Sequence, residues 1–138
     1  YLLFLAAAWL LESALPIALP RNLWTHYLGW GLIDAGVLLM LWAGLLMLWR
    51  RTTVNPYGKP AKLLEEGPFG FSRNPIYLAD SLIYCGIALL WGTLWPWLLL
   101  PALIFTMQRA VIMHEERLLT QLFGDDYLAY CGRVRRWL

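Results

Sequence analysis

Residues 76–113 read IYLADSLIYCGIALLWGTLWPWLLLPALIFTMQRAVIM, an apolar run that only Gly92 and Thr93 clearly interrupt. A helix needs about 20 residues to cross the hydrocarbon core of a bilayer. The run is therefore long enough for two spans, about 76–94 and 95–113, joined as a tight helical hairpin. Pro96 suits the first turn of the second helix, where a missing backbone N–H leaves no hydrogen bond unmade.

Two further apolar stretches, 2–19 and 23–49, precede this hairpin. Strands facing lipid would need alternating hydrophobicity and a closed barrel, and the unbroken runs exclude that pattern. The last helix continues in amphipathic form to Phe123, where Gly124 is a plausible C-cap and Asp125 can begin a second short helix. The sequence predicts one all-α integral membrane domain over 1–138: four transmembrane helices at about 2–19, 23–49, 76–94 and 95–123, a loop over 50–75, and short amphipathic helices in the tail 114–138.

Composition supports a membrane protein. Hydrophobic residues make up 60% of the 138 residues and charged residues only 14%, whereas about a quarter of residues are charged in soluble domains. The net charge of +2 is too small for a nucleic-acid-binding surface. Cys85 and Cys131 form no disulfide or metal pattern, and His26 and His114 fall on opposite membrane sides, so the expectation is two free thiols and no metal site.

The charges also predict an orientation. Ten of the eleven basic residues lie in the 50–75 loop or at and beyond the end of the fourth helix, and only Arg21 lies on the other side. Short cytoplasmic loops carry the excess of Lys and Arg. We therefore expect a multi-pass protein whose termini and 50–75 loop are cytoplasmic. Aromatic residues that would form a belt at the outer interface are Trp24, Tyr27, Trp30, Trp91, Trp95 and Trp97.

Three acids lie within the apolar stretches: Glu12, Asp34 and Asp80. An ionisable group in a membrane helix costs several kcal/mol and marks a functional candidate. Asp80 is near the cytoplasmic end of its helix, where a polar ligand could reach it, although a pairing with an arginine is an equal alternative. For Glu12 and Asp34 we expect structural polar contacts between helices.

The end of the fourth helix carries Gln108 and Arg109, followed by Glu115 and Glu116. These groups share roughly one helical side over two turns. Opposite charges placed this way can clamp a zwitterion such as an amino-acid moiety, whose carboxylate seeks Arg and whose ammonium seeks Glu. The alternative is an ordinary solvated helix end with snorkelling side chains.

The stretch 65–77, EEGPFGFSRNPIY, is the most informative loop. Its glycines permit close backbone approach to a ligand, and Arg73, Asn74 and Tyr77 supply hydrogen-bonding groups where a helix begins. Neither a dinucleotide nor a P-loop glycine pattern occurs. By itself the loop indicates a turn that enters a membrane helix and can contact a ligand.

Two motifs carry a family resemblance. The segment from Gly67-Pro68-Phe69 to Arg73-Asn74-Pro75-Ile76-Tyr77 resembles the G-P-[YF]-x-x-x-R-[HN]-P-x-Y motif of the isoprenylcysteine carboxyl methyltransferase and phospholipid methyltransferase superfamily. The tail, from Glu115-Glu116 through Phe123-Gly124 to Arg133-Val134, is similar to the ending of the same superfamily. Both motifs occur in order and are separated by one helical hairpin, as in that family.

The resemblance implies an S-adenosylmethionine-dependent methyltransferase with a lipophilic acceptor: an isoprenoid or prenylcysteine carboxylate, a phospholipid amine or a hydrophobic thiol. The implied cofactor-binding residues are Gly67, Pro68, Arg73, Asn74, Pro75, Tyr77, Glu115 and Glu116. Arg109 could orient a carboxylate acceptor, while Asp80 or Glu116 could take a proton from an amine or a thiol. Asn74 stands where many relatives have His, but keeps a donor and an acceptor.

Two other functions remain open at this point. One is an NADPH-dependent membrane reductase of the sterol reductase type, for which the chain looks short. The other is a scaffold or transport subunit whose basic tail contacts anionic headgroups. The expected partners are the acceptor and membrane lipids, with no nucleic acid and no obligate protein partner.

Overall fold

The computed structural model describes residues 1–51 and 63–138. Across these ranges the chain is helical and has no strand, apart from one bridge that pairs Ala18 with Thr93. The six α-helices are α1 (Leu2–Ala14), α2 (Leu23–Trp49), α3 (Pro75–Trp91), α4 (Trp95–Met107), α5 (Met113–Phe123) and α6 (Asp125–Arg133). A 3₁₀ turn spans Gly67–Gly70, and a π-helical turn, Gln108–Ile112, joins α4 to α5. The all-helical prediction is confirmed.

Within residues 1–51 and 63–138, two helical segments are long and apolar enough to cross a membrane: α2, and the continuous helix Trp95–Phe123 formed by α4, the π turn and α5. The first and third helices are apolar but shorter, with 13 and 17 residues. The fold therefore shows two candidate membrane spans. The other two of the four predicted spans, α1 and α3, stay a prediction. The predicted loop over 50–75 contains the short turn Gly67–Gly70, while its residues 52–62, including Lys59 and Lys62, lie outside the described residues.

The first helix is shorter than the sequence predicts. It ends at Ala14 and not near residue 19, because Leu15 takes an extended conformation (φ −143°) ahead of Pro16, which disfavours the helical conformation of the residue before it. The chain then runs beside the α3–α4 link, where the Leu19 N–H donates to the Gly92 carbonyl (N···O 2.9 Å). The third helix also ends earlier than expected, at Trp91, because Gly92 adopts the left-handed conformation at φ +69°.

The second and third helices pack antiparallel along a seam of small residues. A Cβ placed on Gly86 would lie 2.6 Å from the Gly29 carbonyl oxygen, and one placed on Gly36 would lie 2.7 Å from the Ala79 carbonyl oxygen. Small residues at this spacing let two helix backbones approach closely, as is common between membrane helices. We call the contact between Gly29, Gly36, Ala79 and Gly86 the glycine seam.

The acids of the first two helices, Glu12 and Asp34, have different environments. Glu12 accepts hydrogen bonds from the Thr93 hydroxyl and from the Ile17 N–H (3.2 Å), so it makes a polar contact with the α3–α4 link, as expected. Asp34 is exposed on α2. Among residues 1–51 and 63–138 no group makes a hydrogen bond or an ion pair with its carboxylate, so the expected polar contact between helices is not made within these ranges.

The tail folds back on the bundle. Gly124 ends α5 at φ +52°, as predicted, and α6 follows from Asp125. The buried side chains of Tyr127, Tyr130 and Val134 form a small core, with Leu63, Leu119, Phe123 and Cys131 packed around it. This core brings the tail against the loop that precedes α3.

Candidate active site

The loop 63–75 is docked against the end of α2 by its 3₁₀ turn. Gly67 has φ +57°, and a Cβ there would lie 3.3 Å from a Leu46 methyl group and 3.4 Å from the Trp42 ring. Pro68 and Pro75 are fully buried. Glycine and proline are therefore used here for backbone shape and packing, which fixes where the following polar residues lie.

The C-terminal residues hold this loop through hydrogen bonds to main-chain carbonyl groups. The Arg73 N–H donates to the Arg135 carbonyl (3.0 Å), and the Asn74 amide donates from Nδ2 to the Arg136 carbonyl (2.9 Å). The Tyr130 hydroxyl donates to the Phe69 carbonyl at 2.7 Å. We call the loop 63–75, the first turns of α3 and α5 and the tail 125–138 together the junction.

Asn74 acts in this junction as a donor to a backbone carbonyl. Its side chain is nearly buried, and its own N–H donates to the Ser72 hydroxyl at 3.2 Å. A histidine N–H could make the same hydrogen bond to a carbonyl. The geometry therefore gives the amide a positioning role.

Glu116 is bound by two arginines. Arg136 donates to both carboxylate oxygens, from Nε to Oε1 at 2.9 Å and from Nη2 to Oε2 at 2.7 Å, and Arg73 Nη1 lies 3.4 Å from Oε1. The side chains of Arg73 and Glu116 are only 14% and 16% exposed. The hydrogen bonds with Glu116 raise the pKa of Arg136. A two-pronged guanidinium–carboxylate contact fixes both side chains in orientation.

Glu115 lies beside this ion cluster and joins the two sequence motifs directly. The Tyr77 hydroxyl donates to Glu115 Oε2 at 3.1 Å. Tyr77 is in the first turn of α3 and Glu115 in the first turn of α5, 38 residues apart in sequence. The arginine-containing loop and the glutamate pair thus meet at one place.

Arg73 retains an unused donor in this site. Its Nη1 points to Glu116 and to the Cys131 sulfur, but its Nε is buried and has no hydrogen-bond partner within the described residues. A buried donor without a partner costs about 1–3 kcal/mol. An anionic group of a ligand, such as a carboxylate, would satisfy it.

Two predicted catalytic residues differ in their placement. Asp80 is half-buried one turn beyond Tyr77, within electrostatic range of Tyr1 and Tyr77, and no group in residues 1–51 or 63–138 donates a hydrogen bond to it. Arg109 makes no ion pair with Glu115 or Glu116 among the described residues. It is exposed, with its guanidinium 5.4 Å from the Phe105 ring centroid. The π turn changes the number of residues per turn between Arg109 and Glu116, so the shared helical side expected from regular spacing is lost.

The sequence interpretation missed Arg136, Cys131 and Tyr127 as neighbours of the site. Arg136 belongs to the basic run 133–136, which by composition indicates contact with headgroups. A signal was present in the charges: two adjacent glutamates entering an apolar environment need cationic partners, and the tail carries several. The order of residues does not show which of these arginines binds Glu116.

A family model described as phospholipid methyltransferase matches residues 24–126. The matched range includes the glycine seam, the loop 63–75 and both glutamates. No curated protein and no solved structure matches the chain. Since the match covers well over half of the sequence, the chain belongs to the phospholipid methyltransferase family, a family of membrane methyltransferases.

Proposed function

We propose that this protein transfers a methyl group from S-adenosylmethionine to a lipophilic acceptor at the cytoplasmic membrane face. The observation that carries the proposal is the meeting of the two motifs, through Tyr77 with Glu115 and through Arg73 with Glu116. Membership of the family supports methyl transfer as the reaction. It lends no support to a sterol-type reductase or a scaffold.

The residues of the junction fit the amino-acid end of the cofactor. The unpartnered Nε of Arg73 suits its carboxylate, and the Glu115 carboxylate, which receives one hydrogen bond from Tyr77, has acceptor capacity left for its ammonium group. Glu116 is occupied by Arg136 and Arg73, so its part is to hold the Arg73 guanidinium in place. Gly67, Pro68, Asn74 and Pro75 shape the loop around this end.

S-Adenosylmethionine, when bound, supplies an electrophilic methyl group on a sulfonium. The protein then has to align the acceptor and exclude water. A carboxylate acceptor needs no base, whereas an amine or a thiol must lose a proton. Asp80 is the better placed base, because its carboxylate is free of donors in the described chain and Glu116 is engaged by two arginines. Arg109, exposed near the π turn, could orient an acidic acceptor from outside the cluster.

The placement of the two ends supports the proposed orientation. The Trp-bearing start of α2 and the α3–α4 link lie together, as the contact of the Arg21 guanidinium with the Trp91 carbonyl shows, and the junction lies at the opposite end. Tyr1 contacts Tyr77 and Glu12 contacts Thr93, so the short α1 runs between the same two ends as α3. We infer four membrane passages, with the basic junction and both termini cytoplasmic. The acceptor would enter sideways between helices.

Cofactor binding is the direct test. Protein purified in detergent should bind S-adenosylhomocysteine in isothermal titration calorimetry at micromolar concentrations. Arg73→Ala or Glu116→Ala should weaken binding at least tenfold. Arg117→Ala, which removes an exposed arginine next to Glu116 in sequence, is the matched control and should bind within twofold of the native protein. No heat of binding by the native protein would refute the proposal, and thermal protection by NADPH alone would favour a reductase.

The acceptor is found by transfer of a tritiated methyl group into a membrane lipid extract, followed by identification of the labelled lipid. If the labelled lipid is a methylated amine or thiol, Asp80→Asn should lower kcat and leave the binding of S-adenosylhomocysteine unchanged. With a carboxylate product, the same variant should keep its activity. A variant that loses cofactor binding as well would contradict a role as base.

A further inference from the structure

Asp34 lies near the middle of α2, eleven residues after Leu23 and fifteen before Trp49. Among the described residues, this helix is one of two helical segments that are long and apolar enough to cross a membrane. Asp34 is exposed and makes no hydrogen bond or ion pair with any described residue of its own chain. At that depth an isolated carboxyl group facing lipid is costly, so such residues usually have a partner.

The surface around Asp34 has a regular pattern. Seven residues follow each other at alternating spacings of four and three: Tyr27, Gly31, Asp34, Leu38, Leu41, Leu45 and Leu48. The five large apolar members are between 55% and 66% exposed. This row, which we call the outer row, lies on the face of α2 opposite Gly29, Gly36 and Ala43, which are buried. The average spacing of 3.5 residues is typical of helices that pack in parallel pairs.

We propose that the outer row is the contact surface between two copies of this chain, with the two Asp34 side chains paired at its centre. Copies inserted into one membrane have the same orientation, so their α2 helices are parallel. In a parallel pair equivalent residues of the row face one another. Two carboxyl groups that share one proton form an O–H···O hydrogen bond, and each copy thus supplies the partner that the other lacks.

Gly31 makes room for this pairing. A Cβ placed there would meet nothing within 4 Å among residues 1–51 and 63–138, so packing among these residues does not explain the missing side chain. One turn from Asp34, it allows two α2 backbones to come close enough for short Asp side chains to touch. A polar residue within an otherwise apolar row also fixes the register of the two helices. The expected contact between helices at Asp34 is then made between molecules.

The association is measured by single-molecule photobleaching of labelled protein in liposomes at increasing protein-to-lipid ratio. The native protein should form dimers, and Asp34→Leu should lower the dimer fraction at least fivefold. Asp34→Asn keeps a group that can both donate and accept and should stay within twofold of the native fraction. Gly31→Ile should lower the fraction as Asp34→Leu does. Gly44→Ile is the matched control, because a Cβ at Gly44 also meets nothing within 4 Å but lies off the outer row.

Register is tested by oxidative cross-linking in the membrane. Leu38→Cys should form a disulfide-linked dimer, whereas Val37→Cys, exposed but off the outer row, should give no more than the native cysteines. A native protein that stays monomeric at every ratio, or an Asp34→Leu variant that dimerises like the native protein, overturns the proposal. Thermal unfolding of each variant checks that a lower dimer fraction is not caused by loss of the folded structure. Capture of lipid or another protein by a monomeric chain would also count against it.

Discussion

The glycine seam and the junction hold the molecule together in opposite ways. In the seam, α2 and α3 meet through backbones that leave no room for one more carbon atom: a Cβ on Gly86 would lie 2.6 Å from a carbonyl oxygen. In the junction, contacts are made by side chains that reach across: Arg136 to Glu116, Tyr77 to Glu115 and Asn74 to a carbonyl. One region depends on the absence of side chains and the other on their pairing.

The difference has a physical cause. A helix satisfies its own backbone hydrogen bonds, so two helices need only matching shape to pack closely. A loop has N–H and C=O groups that need partners, and the loop before α3 finds them in the tail at Arg135 and Arg136. We expect the seam to be sensitive to volume and the junction to be sensitive to charge and hydrogen bonding.

The largest effect is expected from Gly86→Leu. The new side chain collides with the backbone of α2 at Gly29 and Ile33, which cannot move without separating the helices. Overpacking costs typically about 1–3 kcal/mol and more where backbone must shift, so little folded protein should elute in size-exclusion chromatography. Gly44→Leu makes the same change in α2, at a position where an added Cβ meets no described atom within 4 Å. This variant should leave Tm unchanged or slightly raised. Equal behaviour of the two variants would contradict the seam.

A smaller effect is expected from Glu116→Gln. The change leaves Arg73 as a mostly buried cation without its counter-charge, and removal of one partner of such a pair costs about 3 kcal/mol. Thermal unfolding should show a clear loss in Tm. Arg133→Ala is the control within the junction, since its ion pair with Glu65 is exposed and contributes less than about 1 kcal/mol. If Arg133→Ala destabilised as much as Glu116→Gln, burial would not be what makes the inner pair important.

The smallest effect is a loss of stability in alkaline solution. Burial raises the pKa of the Tyr127 and Tyr130 phenols above the ordinary 10.0. Above pH 10 the unfolded chain releases these protons while the folded chain keeps them, so rising pH favours unfolding until the folded phenols also ionise. The double variant Tyr127→Phe/Tyr130→Phe should show a smaller fall in Tm between pH 9 and 11. Tyr27→Phe is the control, because Tyr27 lies near the start of α2, away from the junction. This variant should show the same fall in Tm between pH 9 and 11 as the native protein.

Much of the fold could be predicted from the sequence. Long apolar runs require helices in lipid, and Gly124 ends its helix as expected, whereas Gly92 ends α3 earlier than predicted. The end of α1 was predicted too late because hydrophobicity continues past Leu15 although Pro16 stops the helix. Arg109 lies apart from the charge cluster, and regular spacing could not reveal this because the helix between Arg109 and the glutamates contains a π turn.

Local composition and residues close in the chain are enough to predict that this protein is helical, suited to a membrane and built around two methyltransferase motifs. The tertiary structure alone decided which charges meet. Glu116 pairs with Arg136 and Arg73, and Glu115 with Tyr77, because the tail folds back over the loop before α3. A pairing of this kind depends on the distance between side chains in space, and no periodicity along the sequence encodes that distance.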